Sequence, residues 1–349
     1  MKHIKALALF SGGLDSILAA RLIMEQGVEV EAIQFVTPFF NYDLLEDSQG
    51  HRERMLSKYG IKVILEDIST GYLQLLHNPA HGFGKNFNPC IDCKIFMFSR
   101  AKEMLAERGA KFLISGEVLG QRPMSQRRDT LNLIERDSGT RSLLLRPLCA
   151  QLLKETTPEI EGWVDRSKLL RFSGRGRSAQ IALAAKYGIT DFPAPAGGCT
   201  LADPILGRRI KQLYSSDSLL QGAEIGVTDI RTLLLGRQFV LPGGGWLILG
   251  RDEGENLALE KLAGAEDAVF LMEDWPGPTA VLKKVGSRSL PATELQEVLS
   301  LAAGLVVRYG RTLPVGKSCG EVTCTLAGNR TLIRAVPLAD ETYGSWRLL

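Results

Sequence analysis

No stretch of this chain is apolar for the roughly 20 residues a membrane span needs. Nor does a signal-peptide pattern open it, since Met1-Lys2-His3-Ile4-Lys5 leads straight into a short apolar run. A cytoplasmic protein with no membrane partner is the expectation. Cysteine is sparse: six are scattered over 349 residues. That argues against a disulfide framework in a cytosolic chain and leaves metal binding, sulfur chemistry or plain burial. A strong excess of one charge is also missing, with a net charge of +3. What charge there is lies unevenly. Residues 1–214 hold 29 Lys and Arg against 23 Asp and Glu, whereas residues 215–349 hold 13 against 16. A nucleic-acid partner would therefore be held by the first part.

Two familiar phosphate signatures are absent as well. There is no Walker A spacing with its Lys-Ser/Thr ending, and no third glycine of the dinucleotide fingerprint. What stands in their place is Phe10-Ser11-Gly12-Gly13-Leu14-Asp15-Ser16. The apolar run Ile4 to Phe10 precedes it, and the helical pattern Ile17, Leu18, Ala19, Leu22, Ile23 comes after it. The order is strand, small-residue loop, helix start. No bulky side chain separates the backbone N–H groups from an anion, and the helix N-terminus adds partial positive charge at the same point. S-G-G-L-D-S resembles the pyrophosphate loop of the ATP-α-hydrolase (PP-loop) superfamily. That resemblance implies ATP cleaved between its α and β phosphates to adenylate a substrate.

The length allows two domains. Strands are expected at 4–10, 28–36, 61–65 and 111–115, with helices at 15–27, 47–59 and 95–108. This alternation predicts an α/β fold with a doubly wound parallel sheet, whose ligands bind beyond the C-terminal strand ends. Residues 66–89 read as irregular. They end in Asn88-Pro89-Cys90-Ile91-Asp92-Cys93, a C-x-x-C at a helix start. There both sulfurs face one point and the dipole favours thiolates. Cys199, in the small-residue loop Pro195 to Thr200, is the third candidate. Three thiolates suit a [4Fe–4S] cluster with one open iron, or Zn²⁺ with His77 or His81 as fourth ligand, or metal-free persulfide or disulfide chemistry.

The strand at 111–115 runs into Gly116-Glu117-Val118-Leu119-Gly120-Gln121-Arg122-Pro123-Met124-Ser125-Gln126. Its glycines allow close backbone approach to a ligand, and Gln121 and Gln126 bring amides. G-E-x-L-G-Q-x-x-x-S-Q resembles the second signature of the tRNA 4-thiouridine synthetase catalytic domain. Leu145-Arg146-Pro147-Leu148, with Lys154 and Glu155 after it, is similar to that family's next segment. N-P-C-x-x-C with a later cysteine also resembles the 2-thiouridylases and the cluster-dependent thiouridine synthetases. The resemblance spans roughly residues 4–210 and implies ATP-dependent, AMP-forming tRNA thiolation. ATP with Mg²⁺ would lie on Phe10, Ser11, Gly12, Gly13, Asp15, Ser16, Gly116 and Gln121. Asp15, Cys90, Cys93 and Cys199 would be catalytic, the three cysteines holding a [4Fe–4S] cluster. Sulfide or a persulfide carrier would donate the sulfur. The family's usual preceding RNA-binding domain and following rhodanese-like carrier do not stand beside the loop here. Two other readings stay open: a PP-loop enzyme transferring sulfur or nitrogen to a non-RNA substrate, and a non-catalytic nucleotide-binding RNA adaptor. The intact Asp15 and Ser16 speak against the adaptor.

Residues 165–178 form a basic segment with Lys168, Arg171, Arg175 and Arg177. Glycine and serine would keep it mobile, with Phe172 free to stack on a base. Arg127 and Arg128 would join it in holding RNA. The polar break at 215–218 divides a catalytic part, 1–214, from a smaller α+β part, 215–349. In the latter a hairpin is expected around Gly243-Gly244-Gly245, a long helix over 293–309 and two strands over 320–336. Gly250 to Asn256 and Asp274 to Pro278 resemble the NFACT-R type of RNA-binding module. RNA binding or homodimerisation are the roles this implies. Cys319 and Cys324 read as core residues.

Overall fold

The computed structural model describes residues 4–194, 199–215, 219–220, 224–273, 275–288, 290–313 and 315–348. They fall into two units, Met1–Ala202 and Asp203–Leu349. No described helix is long and apolar enough to cross a membrane.

The first unit is an α/β fold on one parallel sheet. Its strands are β1 (Lys5–Leu9), β2 (Glu29–Val36), β3 (Lys62–Asp67), β4 (Phe112–Ser115) and β5 (Leu144–Leu145), in the order β3-β2-β1-β4-β5. Its helices are α1 (Leu14–Met24), α2 (Ser48–Tyr59), α3 (Ser69–Leu75), α4 (Cys90–Glu107), α5 (Arg128–Asp137), α6 (Thr157–Ile160) and α7 (Ser178–Lys186). The central strand is buried on both faces, which requires a continuous apolar run. Ala6 and Ala8 enter a cluster with Leu14, Ile17 and Leu18 of α1, on the side where α7 packs. Leu7 is buried outside that cluster, and α4 also packs on β1. Strand order reverses at β1, because β2 and β4 flank it. The crevice beyond the C-terminal ends of β1 and β4 is the switch point where such sheets take ligands. The loops after those two strands carry Ser11 to Gly13 and Gly116 to Gln126.

One expectation fails within the segment read as irregular. Residues 69–75 form α3, opened by Asp67, whose side chain accepts from the Ser69 N–H at 2.9 Å. Gly71 hides the helix in sequence but is needed in space. A Cβ there would lie 2.6 Å from the Phe96 ring of α4.

The second unit holds an antiparallel sheet. Its elements are α8 (Pro204–Leu213), α9 (Val227–Leu233), β6 (Arg237–Val240), β7 (Trp246–Leu249), α10 (Glu253–Leu262), β8 (Ala268–Met272), β9 (Ala280–Leu282), α11 (Ala292–Tyr309), β10 (Gly320–Leu326), β11 (Asn329–Ala335) and α12 (Asp340–Tyr343). The strand order is β11-β10-β8-β9-β7-β6. Ala302, Ala303, Leu305 and Val306 of α11 are fully buried in one core with Phe239, Leu247, Phe270 and Cys324. The β6–β7 hairpin turns through Gly243 and Gly244, both at positive φ. Cys319 is half-buried. The units divide ahead of the polar break used in the sequence, of which residues 216–218 lie outside the described set. Asp203 caps α8 by accepting from Ile205 and Leu206 N–H, and Arg209 of α8 lies within electrostatic reach of Arg251 and Glu255 beside α10. The helix α8 therefore belongs to the second unit.

Candidate functional site

The Ser11 loop is held by its own side chains. Ser16 Oγ donates to the Gly13 carbonyl at 2.8 Å, and Gly13 N–H donates to Ser11 Oγ at 3.3 Å. Gly12 turns the chain at φ +74°, a conformation that favours glycine. Gly13 is the extended N-cap of α1, and no side chain closes that helix end. A helix N-terminus left open this way attracts an anion. Asp15 faces across the crevice: Oδ2 accepts from Gln121 Nε2 at 2.9 Å, while Oδ1 is buried without a hydrogen-bond partner. A buried carboxylate oxygen left alone is costly, so the atom suits a ligand donor or a cation. Gly116 meets the same point from β4. A Cβ on it would sit 2.6 Å from the Ser16 nitrogen and 2.7 Å from the Asp15 carbonyl oxygen. The close approach its missing side chain permits is thus to the loop itself. Phe10 sends its side chain into the core. Gln126 braces the second loop, its Oε1 accepting from Arg122 N–H at 3.1 Å.

Cys199 is brought toward Cys90 and Cys93 although it is remote in sequence. Phe87 N–H donates to the Leu201 carbonyl at 3.2 Å, and Asn86 Nδ2 to the Ala202 carbonyl at 2.6 Å. These bonds fasten the segment after Cys199 to the loop before Cys90. Residues 195–198 of the Cys199 loop lie outside the described residues. Cys90 Sγ donates to Asn88 Oδ1 at 2.9 Å. Cys90, Cys93 and Cys199 are within electrostatic reach of one another. Among the described residues, no three His, Cys, Asp or Glu side chains are grouped so as to hold a single metal ion.

In the metal-free chain Cys93, half-buried, does not favour the thiolate. Burial pushes its thiol up to about 12, and the Tyr72 hydroxyl that donates to it only partly offsets this. Desolvation therefore outweighs the helix dipole. Burial raises Cys199 too. Tyr72 packs between Phe39 and Phe40, with ring centroids at 6.0 and 5.7 Å. It was hidden in the segment read as irregular. His81 does not serve as a fourth zinc ligand: Nδ1 meets Asp92 at 3.1 Å and Nε2 meets Asp137 at 3.2 Å.

A buried ionic network joins the cysteine helix to the second loop. Lys94, next after Cys93, pairs with Glu117, next after Gly116. The other Glu117 oxygen accepts from Arg146 Nε at 2.9 Å, and Arg146 also pairs with Glu135. Side-chain exposure is 1% for Arg146 and 7% for Glu117. Burial alone would raise the Glu117 carboxyl, yet the two cations hold it below the ordinary carboxylate range. Arg146 Nη2 stays buried without a partner.

The basic segment is not the mobile loop expected. Leu170 N–H bonds to Pro147, Phe172 N–H to Leu148 and Gly174 N–H to Leu119, at 2.9, 2.8 and 2.8 Å. Phe172 packs against the core, so it is no free stacking surface. Arg127 pairs with Asp129 at 3.2 Å, Lys168 lies 3.7 Å from Asp165, and Arg128 donates to the Leu152 carbonyl. Arg171 and Arg175 are exposed, and Arg177 Nε is buried without a partner.

Residues 2–159 match the family model described as thiamine biosynthesis protein (ThiI), and residues 236–347 match the NFACT protein RNA binding domain. The first part of the chain is thus similar to that family over residues 2–159, and the later part to the RNA-binding module over residues 236–347. Among curated relatives, the probable tRNA sulfurtransferase of Thermoanaerobacter sp. (strain X514) is 32% identical over 123 residues, 34% of this chain and 30% of the relative. That of Ureaplasma parvum serovar 3 is 32% identical over 154 residues, 42% of this chain and 37% of the relative. The chain thus spans about a third of the length of the relatives it matches. A solved 4-thiouridine synthetase–RNA complex with bound ATP aligns at 24% identity and a TM-score of 0.38, covering 61% of this chain and 50% of that one.

Proposed function

We propose that the first unit uses ATP to thiolate a tRNA uridine. The carbonyl oxygen of the base attacks the α-phosphorus, the α–β P–O bond breaks and pyrophosphate leaves. Sulfur at the sulfide level then adds to the carbon bearing the adenylated oxygen. The C–O bond breaks and AMP departs with that oxygen, so no net oxidation or reduction occurs. The observation that carries this reading is that, in the unit similar to the sulfurtransferases, Lys94 next to Cys93 pairs with Glu117, next after the Gly116 that lies against the Ser11 loop.

On this reading Ser11, Gly12, Gly13 and Ser16 hold the phosphates on the open end of α1. Asp15 Oδ1 is the atom placed to meet Mg²⁺ or the pyrophosphate, and Gln121 fixes that carboxylate. The three thiols match a [4Fe–4S] cluster in donor type, and when bound such a cluster would supply a metal-held sulfur nucleophile.

The test is ATP–pyrophosphate exchange with unfractionated tRNA, alongside thionucleoside analysis of the product. Asp15→Ala is expected to lower exchange about 10²–10³-fold, as loss of one aimed electrostatic group does. Unchanged exchange would remove the adenylation site. Anaerobic purification should give visible and EPR signals lost in Cys199→Ala. An iron-free protein that still yields thiolated tRNA would rule out the cluster.

A further inference from the structure

The sulfur site has an aromatic threshold that the basic segment does not provide. Among the described residues, Phe83 is the single Phe, Tyr or Trp side chain in the exposed class, at 39%. It lies face to face with the buried Phe87, centroids 4.2 Å apart and planes 28° apart. Phe87 is the residue whose N–H fastens the Cys199 segment, and Cys90 comes three residues on. Gly84 and Met124 meet here: a Cβ on Gly84 would touch Met124 Cε at 2.2 Å, and Met124 is itself 41% exposed. Lys85 and Arg122 are exposed beside them, and Arg122 lies within electrostatic reach of Cys199.

An exposed ring backed by a second ring, flanked by a thioether and two cations, is the composition of a base-stacking platform on a phosphate-lined path. We propose that Phe83 is the surface on which the unstacked target base of the RNA rests at the mouth of the cysteine site, with Lys85 and Arg122 meeting its flanking phosphates. The proposal rests on the tRNA reading above. The packing of Phe172 against the core strengthens it, since the ring expected to stack from sequence is partly covered there, whereas Phe83 is exposed.

The experiment uses the full chain and unfractionated tRNA at low salt, with binding read by fluorescence anisotropy of end-labelled tRNA. Phe83→Ala is expected to weaken binding about ten-fold, as loss of one base stack does. Phe83→Trp should restore binding, and its emission should be quenched on adding tRNA. Phe83→Leu separates ring stacking from simple apolar contact. If Leu restores binding or thiolation as well as Trp does, the patch docks an apolar partner such as a protein sulfur carrier, and the platform is overturned. Binding unchanged in Phe83→Ala, with wild type binding tightly, also overturns it while sparing the tRNA reading. Failure of the wild type to bind any tRNA removes both. Trp emission unmoved by tRNA would place the base elsewhere even if Ala weakened binding through folding.

Discussion

Each unit sets two cations, one of them buried, against two carboxylates, and the two use that device differently. In the second unit Lys283 pairs with Asp267 at 2.7 Å, with Asp229 at 3.8 Å, and Lys284 pairs with Asp229. The carboxylates there also accept from backbone: Asp267 from Gly264 and Lys284 N–H, Asp229 from Gly226 N–H. That cluster closes on the turns around it. In the first unit Lys94, Arg146, Glu117 and Glu135 connect the cysteine helix, the β4 loop and α5, and Arg146 Nη2 is left over. A closed cluster is a staple. An open one between two functional loops fixes their spacing and leaves a donor in hand.

The sharpest way to break this contrast is to remove the central cation of each cluster. Arg146→Met and Lys283→Met should each destabilise its own unit by about 3–5 kcal/mol, because a buried carboxylate loses its partner. Urea unfolding measures both. Below its unfolding range, Lys283→Met should retain pyrophosphate exchange, whereas Arg146→Met should not. Equal behaviour of the two variants would end the distinction.

A smaller effect compares half-buried Cys93 with buried Cys324. Burial places the Cys93 thiol at about 12 and the Cys324 thiol at about 11. At pH 8 both should alkylate with iodoacetamide far more slowly than a free cysteine, by roughly 10³-fold at Cys93 and 10²-fold at Cys324, from the thiolate fraction. Peptide mass spectrometry reads the order. Rapid labelling of Cys93 in the folded, metal-free chain would mean that its shell is open.

The smallest is an acid limb. Glu117 sits below the ordinary carboxylate range when folded, so its contribution is fully present above about pH 5. It is lost as pH falls through the depressed value. Glu117→Gln should flatten that part of the first unit's stability-against-pH curve below pH 5. A curve as steep as wild type would assign the limb to other carboxylates.

Much of the first unit could be read along the chain because its strands and helices alternate with clear glycine punctuation. The glycine loop after β1 was legible for the same reason: its residues are contiguous. Tyr72 and Phe83 were not, since Gly71, Gly82 and Gly84 gave their segment the look of irregular chain. Exposure separates Phe83 from Phe172, and no local pattern encodes that. Glu117 and Arg146 stood inside recognisable motifs, but their pairing crosses from one strand end to the next and exists only once the sheet has formed. The raised Cys93 thiol was not legible because a helix dipole is visible in sequence and the packing around a side chain is not.

The tether from Asn86 and Phe87 to Leu201 and Ala202 bears on how this protein can be cut. A fragment ending at residue 159, where the match to the ThiI family model stops, would contain all five parallel strands and the whole glycine loop. It would also contain the first two sulfurs, and lack the third along with the two carbonyls that hold it in place. The shortest piece able to display the complete sulfur set therefore runs to Ala202, where the first unit ends.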